Sequence, residues 1–425
     1  MPKQQPPDVR RTAVLLGLLF LISVVTYIDR VNISVTARQM MPAFGLTNQD
    51  IGHVFSAFVL GYALCQIPGG RLGDRWGARI VLTVALIWWS VFTGLTAVAA
   101  TSPLTGLIGI TGSLLVVRFM LGVGEAVALP NFNRAVADWV PSNRRGLGIG
   151  IAIGGIGVGA AITPPLAAWI MVNWGWQIVF YLCAVLGLVV AMFWLAAAGG
   201  AHTDPASRRE KPPHHVSQAR ISSSPIPWKR LATHATLRWL VLSYSCLGYV
   251  AYVYMSWFYL YLVNVRGFDV LRGGWFASAP FVAILIFCPL GGWLTDRLAL
   301  RLGVKAGRVL VGMAGMLLAG AAIAVGSLAA SPALAIVALS LGAGWLYFTV
   351  GAYWTSATDL SKTHTGILSG IMNTGANLGG AISPTLTPWI ADYWGWPAAL
   401  GAAALVAGAG AVMWLKIDPE QALKE

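Results

Sequence analysis

Of the 425 residues, 57% are hydrophobic and only 10% are charged, and the mean hydropathy is +0.71. A water-soluble domain carries about 25% charged residues, so too few remain to coat an aqueous surface, and lipid must solvate most of the exterior. The formal net charge of +13 is scattered over short segments rather than gathered in one patch, which argues against a nucleic-acid partner.

A spanning helix needs about 20 apolar residues. The chain offers twelve such runs, at 13–36, 50–72, 80–100, 104–129, 146–171, 175–198, 238–264, 272–296, 307–329, 333–357, 365–390 and 395–416. None shows the period-two alternation of a membrane β-barrel. The first run follows Arg10 and Arg11 and contains Asp29, Arg30 and Asn32. A signal peptide would show a short apolar core and a small-residue cleavage site, so this run reads as a retained helix. Between the sixth and seventh runs lies a polar stretch, 199–237, with Pro205, Pro212, Pro213, Pro225 and Pro227 and several serines. It reads as a linker, and His214 and His215 within it as solvated residues rather than a metal site. The prediction is an all-α membrane protein of twelve helices in two six-helix bundles, 1–198 and 238–425, joined by 199–237.

Placing the N-terminus in the cytoplasm leaves 23 of the 28 Lys and Arg residues on the cytoplasmic side, as the positive-inside rule requires. Only Arg38, Arg266 and Arg272 fall outside, and Arg30 and Arg118 lie within runs. This points to a multi-pass protein of a bacterial inner (plasma) membrane with both termini cytoplasmic. Its basic face meets anionic lipid headgroups. Cys65, Cys183, Cys246 and Cys288 all lie inside runs and show no disulfide or metal spacing. No cofactor or metal is expected, and the chain is expected to act as a monomer.

The halves repeat. Ile162-Thr-Pro-Pro-Leu-Ala-Ala-Trp-Ile170 aligns with Ile382-Ser-Pro-Thr-Leu-Thr-Pro-Trp-Ile390, Trp174-Gly-Trp176 with Trp394-Gly-Trp396, and Gly73-Asp74-Arg75 with Thr295-Asp296-Arg297. Parallel repeats of this kind place a ligand site between them near mid-membrane.

Gly70-Arg-Leu-Gly-Asp-Arg-Trp-Gly-Ala-Arg79 after the second run resembles the signature loop of the major facilitator superfamily, and Arg118-Phe-Met-Leu-Gly122 its second motif. With the six-plus-six layout the resemblance covers the whole chain. In the loop, Gly70 and Gly73 allow close helix approach, with the eleventh run as the expected neighbour. Asp74 is placed for a helix N-terminus, and Arg75 and Arg79 for ion pairs that gate the cytoplasmic side. The alternative is that these charges serve topology only.

Four ionisable groups lie at membrane depth: Asp29 and Arg30 on the first run, Arg118 and Glu125 on the fourth. Each costs at least about 2.5–3.5 kcal/mol mid-helix, so such groups persist when paired and usually when used. The alternative is a structural salt bridge between the two helices. Arg118 and Glu125 share a face about 10 Å apart along the axis, too far for a direct pair, so each needs a partner from another helix. Asp29 and Arg30 point about 100° apart. Arg30 is therefore free to face a cavity while Asp29 pairs elsewhere, with Arg118 a candidate. A guanidinium holds a carboxylate by two parallel hydrogen bonds. A buried carboxyl, pushed one way by burial and the other by a neighbouring Arg, is suited to carry a proton.

Tyr27-Ile-Asp-Arg-Val-Asn32, the stretch Arg118 to Glu125 and the Pro130-Asn131 that follows resemble the anion:cation symporter family of that superfamily. Its bacterial members import sugar acids, tartrate and aromatic carboxylates with protons. The resemblance implies that Arg30 binds the substrate carboxylate, Asp29 and Glu125 take protons, and Arg118 modulates them. The expected function is proton-coupled import of an organic carboxylate, a sugar acid, dicarboxylate or aromatic acid.

Tyr62 and Gln66, one turn apart on the second run, are further candidate substrate contacts, as are Asn373 and Asn377 on the eleventh, where the repeat has Ile153 and Gly157. An interhelical bond is the alternative for the two asparagines. Tyr252 and Tyr254 lie deep enough on the seventh run to reach a cavity. Sugar-acid members of the family offer a polar side chain on the fifth helix. Gly154-Gly-Ile-Gly-Val-Gly159 offers none, which favours a less hydroxylated or aromatic substrate. The competing function is a proton-coupled multidrug or metabolite efflux antiporter of the same fold, against which Arg30 and Arg118 weigh. A transporter-like sensor would need a long cytoplasmic domain. No catalytic triad, metal spacing or phosphate-cradling loop points to an enzyme.

Overall fold

The computed structural model describes residues 9–140, 145–198, 231, 233–361 and 365–421. The predicted linker lies almost entirely outside them, and with it His214 and His215. The described residues form helices and no strand. In chain order these are α1 (Val9–Phe44), α2 (Asn48–Trp76), α3 (Ala78–Thr96), α4 (Thr105–Glu125), α5 (Ala128–Trp139), α6 (Arg145–Trp174) and α7 (Trp176–Ala197). The second half follows with α8 (Ala235–Leu260), α9 (Val270–Ala277), α10 (Ala279–Leu302), α11 (Val304–Leu328), α12 (Pro332–Phe348), α13 (Val350–Asp359) and α14 (Thr365–Met413).

Ten helical stretches among the described residues are long and apolar enough to cross a membrane. The last spans 50 residues, Ile367–Lys416, and turns at Gly395, whose φ of 81° only glycine adopts without strain. It therefore supplies two helices. With the more polar α2, the twelve predicted runs are all accounted for. Gly175, at φ 88°, makes the same turn between α6 and α7, 220 residues earlier.

Three predicted runs are broken where periodicity shows no break, one of them the eighth (272–296), at Ser278 between α9 and α10. The fourth divides into α4 and α5 at Ala126 and Val127. Pro130 has no N–H to return to the Ala126 carbonyl, so the helix loosens just after Glu125. The tenth divides into α12 and α13 around Thr349. α8 ends in a π-helical stretch, Tyr261–Val265.

By contacts the chain forms two compact units, Met1–Leu46 with Ala57–Lys211, and Thr47–Ser56 with Pro212–Glu425. Both use the same packing devices. In the first, α1 and α6 meet backbone to backbone. A Cβ on Gly155 would run into the Phe20 carbonyl, and one on Gly159 into that of Val24. In the second, Gly375 and Gly379, each 220 residues later, sit against Val241 and Ser245 of α8. The glycines at the end of α2 serve a close approach within the first unit. Gly69 abuts Val127, Gly70 Pro130 and Gly73 the Asn131 side chain, all at the α4–α5 break. In the second unit Gly291 of α10 abuts the Phe348 carbonyl, and Gly292 faces Gly351, at the α12–α13 break. The glycine pair and the helix break are thus one repeated joint.

The first turns of α2 pack with the second unit. Gly52 lies against Pro384 and Pro388, Ser56 and Thr385 share a hydrogen bond of 2.9 Å, and Phe55 meets Trp257 edge-on.

Candidate functional site

The four membrane-depth charges all fall in the first unit. α2 and α4 are brought together by two glycines: a Cβ on Gly61 would strike the Phe119 carbonyl, and one on Gly122 the Phe58 carbonyl. α3 is tied to α4 where the Trp88 indole, seated over Gly124, donates to the Met120 carbonyl at 2.8 Å. These contacts fix Phe58 and Tyr62 on one side of Glu125 and α3 on another. α1 then lays Tyr27, Asp29, Arg30 and Asn32 against this frame, held by the glycine seam with α6 and by the Ser23 hydroxyl donating to the Ala152 carbonyl.

Arg30 Nε donates to Glu125 Oε2 at 2.8 Å, with the Arg30 side chain 6% exposed and Glu125 fully buried. Its guanidinium lies over Tyr62 at 4.2 Å, and within cation–π range of Tyr27 and Phe58 at 5.0 and 5.3 Å. Three rings thus form a socket for one guanidinium. Arg118 is buried, lies 5.3 Å from the Phe58 ring, and sends Nη2 toward the Asp29 backbone carbonyl at 3.5 Å. The expected pairing of Arg118 with Asp29 is therefore made through the main chain. The buried Asp29 carboxylate and the Arg118 Nε and Nη1 atoms make no well-aligned hydrogen bond to the protein, Thr93 being the hydroxyl beside the carboxylate. Arg118 and Glu125 do not pair, as their seven-residue spacing requires.

The remaining predicted residues divide. Tyr62 is buried beneath Arg30, and Gln66 lies one turn on, half-buried. Asn377 is buried, and its Nδ2 donates to the Asn373 carbonyl at 2.9 Å within α14. The Tyr254 hydroxyl donates to the Leu339 carbonyl at 2.7 Å, fully inside the second unit, so this tyrosine packs helices. Tyr252 lies with its ring against Gly380. In the loop motif, Arg75 is exposed, while Arg79 Nη2 caps the end of α7 by donating to the Leu195 carbonyl at 3.1 Å. That is a favourable place for a cation. The Asp74 side chain lies outside the described set. In the second half Arg308 of α11 meets Asp359 through Nε at 2.6 Å and Thr355 through Nη1 at 2.5 Å, and lies 3.9 Å from Asp296 of the repeated motif.

Phe58, Ser90 and Thr93 are not marked by the sequence, and Tyr27 enters it only as the first residue of the Tyr27–Asn32 segment. Phe58 was findable, one turn before Tyr62 on the same face. Ser90 and Thr93 are isolated hydroxyls on an apolar helix, and nothing in their spacing distinguishes them from helix-capped hydroxyls.

The family model of the Major Facilitator Superfamily matches residues 19–384 and 356–425. A probable sulfoacetate transporter of Cupriavidus necator is 34% identical over 418 residues, covering 95% of this chain and 93% of the relative. A hexuronate transporter of Bacillus subtilis is 30% identical, covering 89% and 87%, and a D-galactonate transporter of Escherichia coli 28% identical, covering 96% and 95%. Among solved structures, a bacterial homologue of the human lysosomal transporter Spinster superposes with a TM-score of 0.78 at 20% identity, covering 97% of both chains. A D-xylose-proton symporter gives 0.78 at 15% identity, covering 96% of this chain and 98% of the other. Fold, motifs and relatives agree: the chain belongs to the major facilitator superfamily and is a multi-pass membrane protein of transporter fold.

Proposed function

We propose that this protein imports an organic carboxylate together with protons, by secondary active transport with alternating access. The observation that carries this reading is the buried Arg30–Glu125 pair. Breaking such a pair by removing one partner costs about 3–5 kcal/mol, because the other charge is left uncompensated. Neither an anion nor a proton alone exchanges partners cheaply here. A carboxylate arriving at Arg30 would leave Glu125⁻ beside a second anion. A proton arriving at Glu125 would leave Arg30⁺ unmatched. Arriving together, they leave one neutral acid and one new ion pair. The site therefore favours joint occupancy, which is the thermodynamic requirement for symport.

The roles follow from position. Arg30 receives the carboxylate, with Tyr62, Phe58 and Tyr27 holding its plane. Glu125 takes a proton as the substrate binds. Arg118 anchors the α1 backbone at Asp29 and biases the charge of both acids. Asp29 is the second proton site. Gln66, Asn373, Asn377 and Tyr252 are proposed contacts for the rest of the substrate, and Arg75 and Asp74 belong to the proposed cytoplasmic gate. Tyr254 is left out, because its hydroxyl is committed to Leu339.

The relatives named for sulfoacetate, hexuronate and D-galactonate support a small organic acid as substrate. Among these, the glycine face of α6 is committed to packing on α1 and offers no hydroxyl partner. This favours an acid with few hydroxyls. The bias of Lys and Arg toward one side of the predicted spans supports a bacterial inner membrane with both termini cytoplasmic.

A thermal-shift screen of the purified protein against sulfoacetate, hexuronates, galactonate, dicarboxylates and aromatic acids tests the class. Stabilisation by one of these acids, lost in Arg30→Gln, is expected. Stabilisation by organic cations alone would favour an efflux antiporter and contradict the proposal.

A further inference from the structure

Behind the Arg30–Glu125 pair lies a second group of polar side chains, from α1, α3, α4 and α7, that the exchange just described does not use. Asp29 and Asn32 stand one turn apart on α1, and Ser90 and Thr93 one turn apart on α3. All four are buried. Thr93 lies beside the Asp29 carboxylate, and Cys183 of α7 beside the Asn32 amide. One turn along α7, Gly187 leaves room for the Ser90 hydroxyl.

Both Asp29 oxygens, both Asn32 amide atoms, the Ser90 and Thr93 hydroxyls, the Trp89 indole N–H and the Arg118 Nε and Nη1 atoms make no well-aligned hydrogen bond to the protein, the Thr93 hydroxyl beside Asp29 and the Cys183 thiol beside Asn32 being the side-chain contacts within reach of one. Buried polar atoms are nearly always paired, with protein or with ordered water, and leaving one bare is costly. Here they fall on neighbouring turns of three helices, which points to a common ligand.

Its chemistry follows from the mix. Asp29 offers acceptors only. The Asn32 Nδ2, Trp89 and Arg118 groups offer donors only, and the hydroxyls offer either. A metal cation would satisfy the acceptors, face the donors' hydrogens and sit beside the Arg118 charge. An anion would meet the opposite conflict at Asp29. Water alone serves both sets, and an internal water typically makes about three such bonds.

We propose that Asp29, Asn32, Ser90, Thr93 and Arg118 enclose an internal water cluster that delivers protons to Asp29 by a route separate from Glu125. This deepens the proton-coupling reading above and rests on it only for the role of Asp29. The charged and titratable groups facing Asp29 are Arg118 and Glu125 from α4 and Cys183 from α7. Thr93 and Asn32 act as positioning residues, because they hold the water rather than the substrate.

The test is hydrogen–deuterium exchange of the buried carboxyls in the full-length protein, followed by infrared spectroscopy, at a pH where the acids are protonated. The Asp29 band is assigned by its loss in Asp29→Asn, and the Glu125 band by its loss in Glu125→Gln. Thr93→Val should slow Asp29 exchange about tenfold or more by removing one link of the hydrogen-bonded chain, leave Glu125 exchange unchanged, and be rescued by Thr93→Ser. Equal exchange in wild type and Thr93→Val would overturn the proposal. So would an Asp29 band that vanishes when sodium chloride replaces choline chloride at fixed pH, since that marks a cation site. Exchange is read without transport, so a chamber that behaves as predicted in a protein that moves no carboxylate would count against the function and not against the chamber.

Discussion

At the scale of single residues, the arginine on α1 matters for its shape as well as its charge. Arg30 is gripped from one side by Glu125 at 2.8 Å and from the other by the Tyr62 ring at 4.2 Å. A lysine keeps the charge but loses the planar fork and the stacking. Arg30→Gln should therefore abolish carboxylate uptake into membrane vesicles, and Arg30→Lys should reduce it by about two orders of magnitude, roughly the 3 kcal/mol at stake in such a site. Uptake surviving in Arg30→Gln would remove the carboxylate assignment. Glu125→Gln mimics the protonated acid and should still exchange internal for external substrate, while losing accumulation against a gradient. Loss of both activities, or of neither, would count against its proton role. These four charges were legible in the sequence because a membrane-depth charge is rare enough to demand a reason. Their pairing was not, because it depends on which faces of α1, α2 and α4 meet. The seven-residue spacing showed only that Arg118 and Glu125 need other partners. The fold gives Glu125 to Arg30, and gives Arg118 the backbone rather than the carboxylate of Asp29.

At the scale of elements, glycine decides where helices touch. The α1–α6 and α8–α14 seams use Gly155, Gly159, Gly375 and Gly379 at one offset, and no side chain fits where the backbones meet. Gly155→Ala should lower stability by about 1–3 kcal/mol, as overpacking does, read as a drop in the melting temperature of the detergent-solubilised protein. Gly150→Ala, on the same helix with open space before it, should leave melting unchanged or raise it slightly by its better helix propensity. Equal effects at the two positions would show that the seam is not the constraint. The helix count was readable from hydropathy, and the 6+6 repeat from Trp174-Gly-Trp176 and Trp394-Gly-Trp396. The joint between α4 and α5 was less visible, since a lone Pro130 near the end of an apolar run signals either a break or an end. The partner of Gly70 and Gly73 within their own unit was not readable for a related reason. Small residues announce a close approach but not the neighbour, and the neighbour is the α4–α5 joint. A smaller device closes the chain: Lys305 holds Asp418 at 2.8 Å, and this keeps the Asp418 carboxyl below its ordinary value. A depressed carboxylate stabilises above its unfolded value and loses that contribution as pH falls through the lowered one. Asp418→Asn should therefore matter near neutral pH and make no difference in strong acid, checked by melting at both.

At the scale of the whole molecule, two six-helix halves share their glycine seams, turning glycines and helix joints, yet differ in charge. All four membrane-depth ionisable groups noted in the sequence lie in the first half, while the second contributes Asn373, Asn377 and an aromatic α8. Among the described residues, Arg308 forms ion pairs with Asp359 and Asp296 in the second half, and Arg79 in the first caps α7. Duplication explains the packing, and the asymmetry fits the proposed division of labour, with proton coupling proposed for one half and the remaining substrate contacts proposed for the other. The proposed transport turns on one exchange, a substrate carboxylate taking Arg30 while Glu125 takes a proton. Proton uptake on binding measures it directly. A stabilising carboxylate is added to the purified protein in weakly buffered solution at mildly alkaline pH, and the change in free proton is read with an indicator dye. Wild type should take up protons as the anion binds, and Glu125→Gln should bind it with most of that uptake gone. Binding without proton uptake in wild type, or undiminished uptake in Glu125→Gln, would contradict the exchange.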